Sequence, residues 1–168
     1  EIAEANNRLM NLRKAAEQIK YIGPLRKLEN NEKKKRDSYN DKNIPMGVNG
    51  EYFFNFYETN KSEPYVANYY PKGEFEVIPI SEKFDEMLQF FGIAQKFSTK
   101  YDSETDTIQG FITPIGLNKS LKMKELGVGF SQLAPIILLC LTSDRGSTIL
   151  LEQPELHLHP QVQQKFAD

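Results

Sequence analysis

The chain has 168 residues, 26% of them charged and 39% hydrophobic, which is ordinary for a soluble globular protein and enough for a real core. Its net charge of −2 argues against a generally basic nucleic-acid binder, although residues 1–50 carry +4 and residues 51–168 carry −6. The longest apolar run, residues 133–141, is too short to span a bilayer. A single cysteine cannot form an internal disulfide, and this fits a cytoplasmic protein.

The first segment, residues 1–20, is predicted to be an ordinary amphipathic surface helix, since its apolar residues fall roughly on one stripe. The next segment, Tyr21–Arg26, is predicted to be a short buried strand that runs into a turn, because Pro24 stops a helix there. Arg26 then has two interpretations, a structural ion-pair partner or a ligand for phosphate.

A charged loop is predicted over residues 27–50. The basic run Lys33–Arg36 is interpreted as solvated, with contact to a DNA or RNA backbone as the alternative. The dipeptide Asn49-Gly50 predicts a turn.

The middle of the chain alternates between apolar and polar segments. The aromatic segments 52–57 and 65–70 do not decide between strand and helix. Residues 82–96 are predicted to be a helix with Ser81 as its N-cap, which Gly92 ends early. Residues 97–115 predict a β-hairpin with an acidic tip, and a short strand is expected near residue 121.

A glycine-containing turn precedes the most apolar helix of the sequence. Gly127 and Gly129 permit close approach of the backbone, and Ser131 is predicted to be the N-cap, with Pro135 in the first turn. Free N–H groups at such a helix start favour an anion, above all phosphate. Cys140 is expected to be a buried residue of this helix.

The apolar residues 148–151 predict a strand that is buried on both faces, as in a parallel sheet. Its carboxyl end presents Glu152, and ligands of α/β sheets bind at that end. The following residues form the string Glu152-Gln153-Pro154-Glu155-Leu156-His157-Leu158-His159-Pro160.

This arrangement resembles the ABC-type ATPases, and the string at 152–160 is similar to the OLD-like and SMC-like group, many of which are linked to antiphage defence. In the resemblance, residues 149–152 match the Walker B motif, residues 127–132 match the signature sequence that opens the preceding helix, and residues 158–160 match the D-loop. The segment 21–26 is also like one often seen upstream in those proteins.

The resemblance implies ATP and Mg²⁺ as cofactors, with Glu152 holding the metal through water. Glu155 would support the attacking water or the metal, and His159 would lie at the D-loop. Within the signature-like turn, which contains Gly127 and Gln132, Gly129 and Ser131 would address the γ-phosphate of ATP on an opposite subunit. The resemblance also implies a homodimer formed around ATP, which would control a nuclease or other effector. Contact with DNA is a further expectation, and no membrane association is expected.

Two departures from the family pattern matter. Gln153 stands where many relatives have the glutamate that activates water, and an amide cannot accept a proton as a carboxylate does. No Gly-x-x-x-x-Gly-Lys-Ser/Thr sequence is present, so we expect these residues to be part of a longer ATPase and to be inactive without the rest.

Two alternatives to an ATPase stay open. Gln153 also fits an ATP-gated scaffold with little hydrolysis. Glu152, Glu155, His157 and His159 could instead bind zinc in a metal-dependent hydrolase, although their spacing matches no standard zinc motif.

The expected fold is α/β: a P-loop NTPase head of the ABC type, with a mainly parallel sheet, flanking helices and an antiparallel hairpin. We divide it into a helical segment at 1–20, a mixed α/β portion at 21–126, and a part at 127–168 that contains the signature-like helix, the Walker B strand and the D-loop.

Overall fold

The computed structural model describes residues 2–29, 31–33, 45–69, 74–123 and 128–167. Two predictions, the one on Gly127 and the one on positions 34–36 of the basic run, therefore lie outside the described residues. The helices are α1 (Ile2–Glu17), α2 (Phe53–Asn60), α3 (Ile80–Phe91), α4 (Val128–Thr142) and α5 (Pro160–Ala167). The strands are β1 (Ile19–Ile22), β2 (Asn31–Lys33), β3 (Pro64–Tyr69), β4 (Glu74–Pro79), β5 (Lys96–Asp102), β6 (Thr107–Thr113), β7 (Leu121–Lys122) and β8 (Thr148–Leu151).

The strands pair in three groups. β1 and β8 are parallel, from Ile19 opposite Thr148 to Ile22 opposite Leu151. β2, β6 and β5 form an antiparallel sheet in that order, with β7 also paired to β6, and β3 pairs antiparallel with β4. The predicted hairpin and the short strand near residue 121 are confirmed.

The expectation of a mainly parallel sheet is wrong for the described residues, because β1–β8 is the only parallel pair among them. The reason lies in the connections. Four residues join β3 to β4, and four join β5 to β6, whereas a parallel pair needs a crossover of a dozen residues or more. The long connection from β1 to β8 meets that requirement.

An aromatic cluster binds the helices to the antiparallel sheet. Phe53 of α2 contacts Phe84 of α3, Phe97 of β5 and Phe130 of α4, with ring centroids 5.7 to 6.2 Å apart. All four side chains are buried. Each such pair contributes about 0.5–1.5 kcal/mol beyond the burial of its apolar area, so this cluster fixes α4 relative to the sheet.

The N-terminus of α2 is capped by a residue from another element. Its own N-cap, Tyr52, makes no side-chain cap bond. Instead the carboxylate of Glu32, on β2, accepts hydrogen bonds from the backbone N–H groups of Phe54 (2.8 Å) and Asn55 (3.0 Å). The Asn55 side-chain amide donates to it as well, at 3.0 Å. The sequence did not decide between helix and strand for segment 52–57, and the structure shows a helix from Phe53 onward. Glu32 supplies the acceptor that the first N–H groups of this helix need.

The prediction that Ser81 caps α3 is wrong. The helix starts at Ile80, after the extended residue Pro79. The first N–H groups are satisfied by backbone carbonyls instead: Ile80 donates to Glu63 and Ser81 donates to Lys61, both at 2.9 Å. At the other end, the expectation for Gly92 is confirmed, since it adopts a left-handed conformation with φ of 76°.

Two further helix boundaries differ from expectation. The first helix ends at Glu17 rather than at residue 20, because residues 19–22 are held in the parallel pair with β8. Ser131 is not an N-cap: α4 already includes Val128, and the Ser131 hydroxyl donates to the Val128 carbonyl at 2.7 Å. Pro135 therefore lies in the interior of α4 rather than in its first turn.

Burial of β8 and of Cys140 is lower than predicted. Ile149 and Leu151 pack against the core, whereas Leu150 is 49% exposed, so β8 is covered on one face only. Burial of α4 ends at Leu139, and Cys140 is exposed. Among the described residues, no helix has the length and apolar character needed to cross a membrane.

Replacement of Glu32 by Gln is expected to change how stability depends on pH. Burial raises the pKa of Glu32 to about 7, against the opposing effect of the N–H donors from Phe54 and Asn55. Between the ordinary value of 4.5 and this value the folded protein holds a proton that the unfolded chain has released. The free energy of unfolding therefore falls as pH rises through about 7, by on the order of 2–3 kcal/mol from this group.

Chemical denaturation from pH 5 to 8 measures the effect, and Glu32→Gln should lack this decline. Glu104→Gln, in the exposed turn between β5 and β6, is the matched control and should follow the wild type. A wild-type minus Glu32→Gln difference that stays constant over this range would contradict the assignment.

Candidate functional site

The predicted metal-holding residue, Glu152, follows the end of β8 in the parallel pair. The last residues of the two strands, Ile22 and Leu151, lie opposite each other. The backbone N–H of Glu152 donates to the Ile22 carbonyl at 3.2 Å and so extends the pairing by one residue. The Glu152 side chain is exposed at the carboxyl end of both strands, where a ligand can reach it.

Tyr21 holds the Glu152 carboxylate from the neighbouring strand. Its hydroxyl donates to Glu152 Oε1 at 2.7 Å. This hydrogen bond, together with the charge of the carboxylate, raises the pKa of Tyr21 above its ordinary value. Tyr21 was not among the site residues predicted from the sequence. The signal that could have revealed this role is the position of Tyr21 one residue before the end of a strand that pairs in parallel with residues 148–151.

Arg26 is 2% exposed, and within the described residues its guanidinium donates to three backbone carbonyls. Nη1 donates to Gly23 at 2.8 Å and to Glu152 at 3.0 Å, and Nη2 donates to Gln153 at 2.9 Å. Burial lowers the pKa of Arg26 below its ordinary value, and the negative charge of Glu155 partly offsets this change. The structure thus places Arg26 under the main chain of the Glu152–Gln153 turn.

That turn contains strained backbone. Gln153 has φ of 44°, and His157, four residues later, has φ of 60°. Both values lie in the left-handed region, which residues other than glycine rarely occupy. Such residues persist where surrounding contacts over-determine them, and they cluster at functional sites. The Arg26 bond to the Gln153 carbonyl is one of these contacts.

Gln132 connects helix α4 to the same residues. Its side chain is 6% exposed, and its Nε2 donates to the Arg26 carbonyl at 2.8 Å. Gly129 and Ser131 lie in the first turn of α4, beside exposed Val128. Of the predicted site residues, Arg26, Gln132, Glu152 and Gln153 therefore form one hydrogen-bonded network.

The remaining predicted residues, Glu155 and His159, are exposed in the segment after the turn. Leu158 between them is 6% exposed and anchors this segment to the core. The His159 carbonyl accepts N–H bonds from Val162 and Gln163 at 2.8 and 3.0 Å, and Pro160 occupies the first position of α5. His159 is therefore the N-cap residue of α5.

The turn at residues 48–50 forms hydrogen bonds with the segment that follows β1. The Gly23 N–H donates to the Val48 carbonyl at 2.7 Å, and the Lys27 N–H donates to the Asn49 carbonyl at 3.2 Å. A Cβ on Gly23 would lie 3.1 Å from Asn49 Oδ1 and 3.5 Å from the Tyr21 hydroxyl oxygen. The predicted turn at Asn49-Gly50 is confirmed, and it packs where a side chain at position 23 would interfere.

The zinc hypothesis receives no support from this geometry. Across the part of the chain that the structure describes, which includes Glu152, Glu155, His157 and His159, no three His, Cys, Asp or Glu side chains could hold a metal ion together.

The structure thus defines an α/β protein with an exposed carboxylate at the carboxyl end of parallel strands, as nucleotide-binding proteins of this class have. A family model described as AAA ATPase domain matches residues 2–168, and the chain belongs to this family. Membership implies nucleotide binding, generally with Mg²⁺. Comparison with curated proteins found no match, and comparison with solved structures found none either.

The residues fit the magnesium that the family implies. A hard cation prefers oxygen ligands, and the Glu152 carboxylate is exposed to solvent while its orientation is fixed by Tyr21.

Replacement of Tyr21 by Phe removes the donor to Glu152 and keeps the ring. Residues that orient a metal ligand typically contribute 10–100-fold to metal affinity, so the Mg²⁺ concentration needed for half-maximal ATP binding should rise about tenfold. A fluorescent ATP analogue titrated with Mg²⁺ measures it. Tyr101→Phe, which loses a similar bond to Asp106 at the distant hairpin, is the control and should match the wild type. Equal behaviour of the two variants would refute the role of Tyr21.

Proposed function

We propose that the protein binds ATP with Mg²⁺ and hydrolyses it slowly, with Glu152 as the residue that holds the metal through water. The observation that carries this proposal is the position of Glu152 at the end of the β1–β8 pair, with its side chain held by Tyr21 and its main chain held by Arg26. Mg²⁺, when bound, supplies a positive charge that stabilises the phosphate oxygens.

Gln153 supports slow rather than fast hydrolysis. Its amide can orient a water molecule but cannot take its proton. Glu155 is the nearest alternative base along the chain, and its charge already acts on Arg26. In this proposal Glu155 accepts the proton or supports the metal, and His159 lies at the D-loop.

The same facts favour a second candidate, an ATP-gated scaffold that binds nucleotide with little turnover. Its specific support is the amide at position 153 in a left-handed turn. The two candidates differ in turnover and share the role of Glu152 in binding.

Dimerisation around ATP is the second part of the proposal. The start of α4 offers backbone N–H groups, which are suited to phosphate oxygens, and the Ser131 hydroxyl would donate to phosphate in exchange for its bond to the Val128 carbonyl. In the described part of the chain, no atom outside Gly129's own helical turn lies within 4 Å of the position that a Cβ would take, which is compatible with close approach of a ligand. In the proposed homodimer this turn of one subunit, with Gly127, addresses the γ-phosphate of ATP held by the other.

We further propose that this dimer controls a partner effector such as a nuclease, as in antiphage defence, and that it acts in the cytoplasm. DNA contact is assigned to the basic segment that begins at Lys33. These proposals rest on the resemblance of residues 127–168 to the ATPases described above.

The decisive experiment compares the full-length protein with its Glu152→Ala variant. Turnover should fall at least about 100-fold and the Mg²⁺ dependence of ATP binding should disappear. Glu104→Ala is the matched control, because it removes an equally exposed carboxylate from the β5–β6 turn. Loss of turnover establishes the ATPase and makes Glu155→Gln the next variant. Binding without wild-type turnover favours the scaffold, and no ATP binding at all refutes both.

Dimerisation is tested with Ser131→Ala. Light scattering should show that MgATP doubles the molar mass of the wild type, and that the variant needs about tenfold more protein to dimerise, since a hydroxyl bond to a charged group is lost. Ser143→Ala serves as the control, because this serine bonds a carbonyl of the same helix at its far end. A dimer that forms equally well in both variants, or without ATP, would contradict the proposed interface.

A further inference from the structure

The Glu152–Gln153 turn depends on a cation that cannot itself reach a nucleotide. Arg26 is 2% exposed, and both of its terminal nitrogens are used by backbone carbonyls. These bonds use three of the five guanidinium N–H donors, and the burial of the side chain keeps the other two out of reach of a phosphate in this arrangement. A direct cofactor contact, which the sequence suggested, therefore does not fit Arg26.

The contacts of Arg26 are specific to the guanidinium group. Two of the three carbonyls belong to consecutive residues, Glu152 and Gln153, and a planar fork can donate to both at once. A lysine ammonium at the same place is a point charge on a flexible stem and would not hold both. The conformation of Gln153, with φ of 44°, makes this support necessary, because the left-handed region is unfavourable for residues other than glycine.

The position of Arg26 is in turn set by helix α4. Gln132 donates to the Arg26 carbonyl at 2.8 Å, and both side chains are buried. A continuous path of hydrogen bonds thus runs from the first turns of α4 through Arg26 to the main chain that carries Glu152. The two ends of this path are the proposed phosphate-binding helix start and the proposed metal-binding carboxylate.

Arg26 Nε and Gln132 Oε1 are buried and have no hydrogen-bond partner in the described part of the chain. One is a donor and the other an acceptor, on two residues that are joined by the bond from the Gln132 side chain to the Arg26 backbone carbonyl.

We propose that Arg26 is a positioning residue that fixes the main chain of Glu152 and Gln153, and that Gln132 makes this position depend on helix α4. The proposal rests on the proposed function for its catalytic consequence. Contact between phosphate and the start of α4 then changes the geometry at Glu152 through two buried side chains, without any direct contact between the two places.

The first test needs no nucleotide. Hydrogen exchange of the backbone amides at residues 152, 153, 155 and 156 is compared in the full-length wild type, Arg26→Lys and Gln132→Met, with Lys27→Met as the control. Lys27 is the neighbouring basic residue, and its side chain is exposed. Exchange should be about tenfold faster in Arg26→Lys and several-fold faster in Gln132→Met, while the control matches the wild type.

The second test separates positioning from general stability. Arg26→Lys should lower the turnover number by about 10–100-fold and leave the affinity for MgATP within about threefold of the wild type, since misplacement by about 1 Å costs rate rather than binding. If Arg26→Lys lowers the affinity for MgATP by the same factor as the turnover number, and also lowers the melting temperature, the role of Arg26 is merely structural and the proposal is overturned. If Arg26→Lys does not fold, the same three quantities are measured for Gln132→Met, which leaves the guanidinium in place.

Failure of this inference is distinguishable from failure of the proposed function. If Glu152→Ala abolishes turnover while Arg26→Lys and Gln132→Met keep wild-type exchange and turnover, Arg26 has no positioning role and the ATPase assignment stands. If the wild type binds no ATP, the proposed function fails, and unchanged exchange in Arg26→Lys would remove the positioning role as well.

Discussion

Parallel pairing of β1 with β8 is the constraint on which the candidate site depends. It sets the Tyr21 hydroxyl against the Glu152 carboxylate, although the two residues are 131 positions apart in the sequence. It also carries Arg26, just beyond the end of β1, under the turn that follows β8. Without this register, the acidic group would have neither its side-chain partner nor its main-chain support.

Energetic magnitudes favour the strained turn only while Arg26 is present. A residue in the left-handed region costs about 1–2 kcal/mol, and hydrogen bonds to a charged group contribute about 1.5–3 kcal/mol each. Arg26 gives two such bonds to Glu152 and Gln153, so they offset the strain and leave a margin. Burial of the guanidinium has a desolvation cost, which lowers its pKa, and its bonds to the three carbonyls act against that cost.

Local features of the sequence predicted local structure well. The β5–β6 hairpin, the end of α3 at Gly92 and membership in an ATPase family are confirmed, since each rests on residues close together in the chain. The predicted helix start at Ser81 was wrong because carbonyls distant in sequence accept the first N–H groups of α3, and the one at Ser131 was wrong because α4 already includes earlier residues. Tyr21 was missed for a related reason: its partner is set by the pairing of two strands, which neither strand reveals alone. The Walker B assignment of residues 149–152 stays a prediction.

The long separation between β1 and β8 has a consequence for the order of folding. Contacts between residues far apart in sequence form late, because the intervening chain must first lose its freedom. During synthesis from the N-terminus, β1 emerges long before β8, which is its pairing partner among the described strands. The antiparallel hairpin and the aromatic cluster around Phe53 can assemble in the meantime. The acidic site is therefore completed among the last parts of this region, after the scaffold that supports it exists.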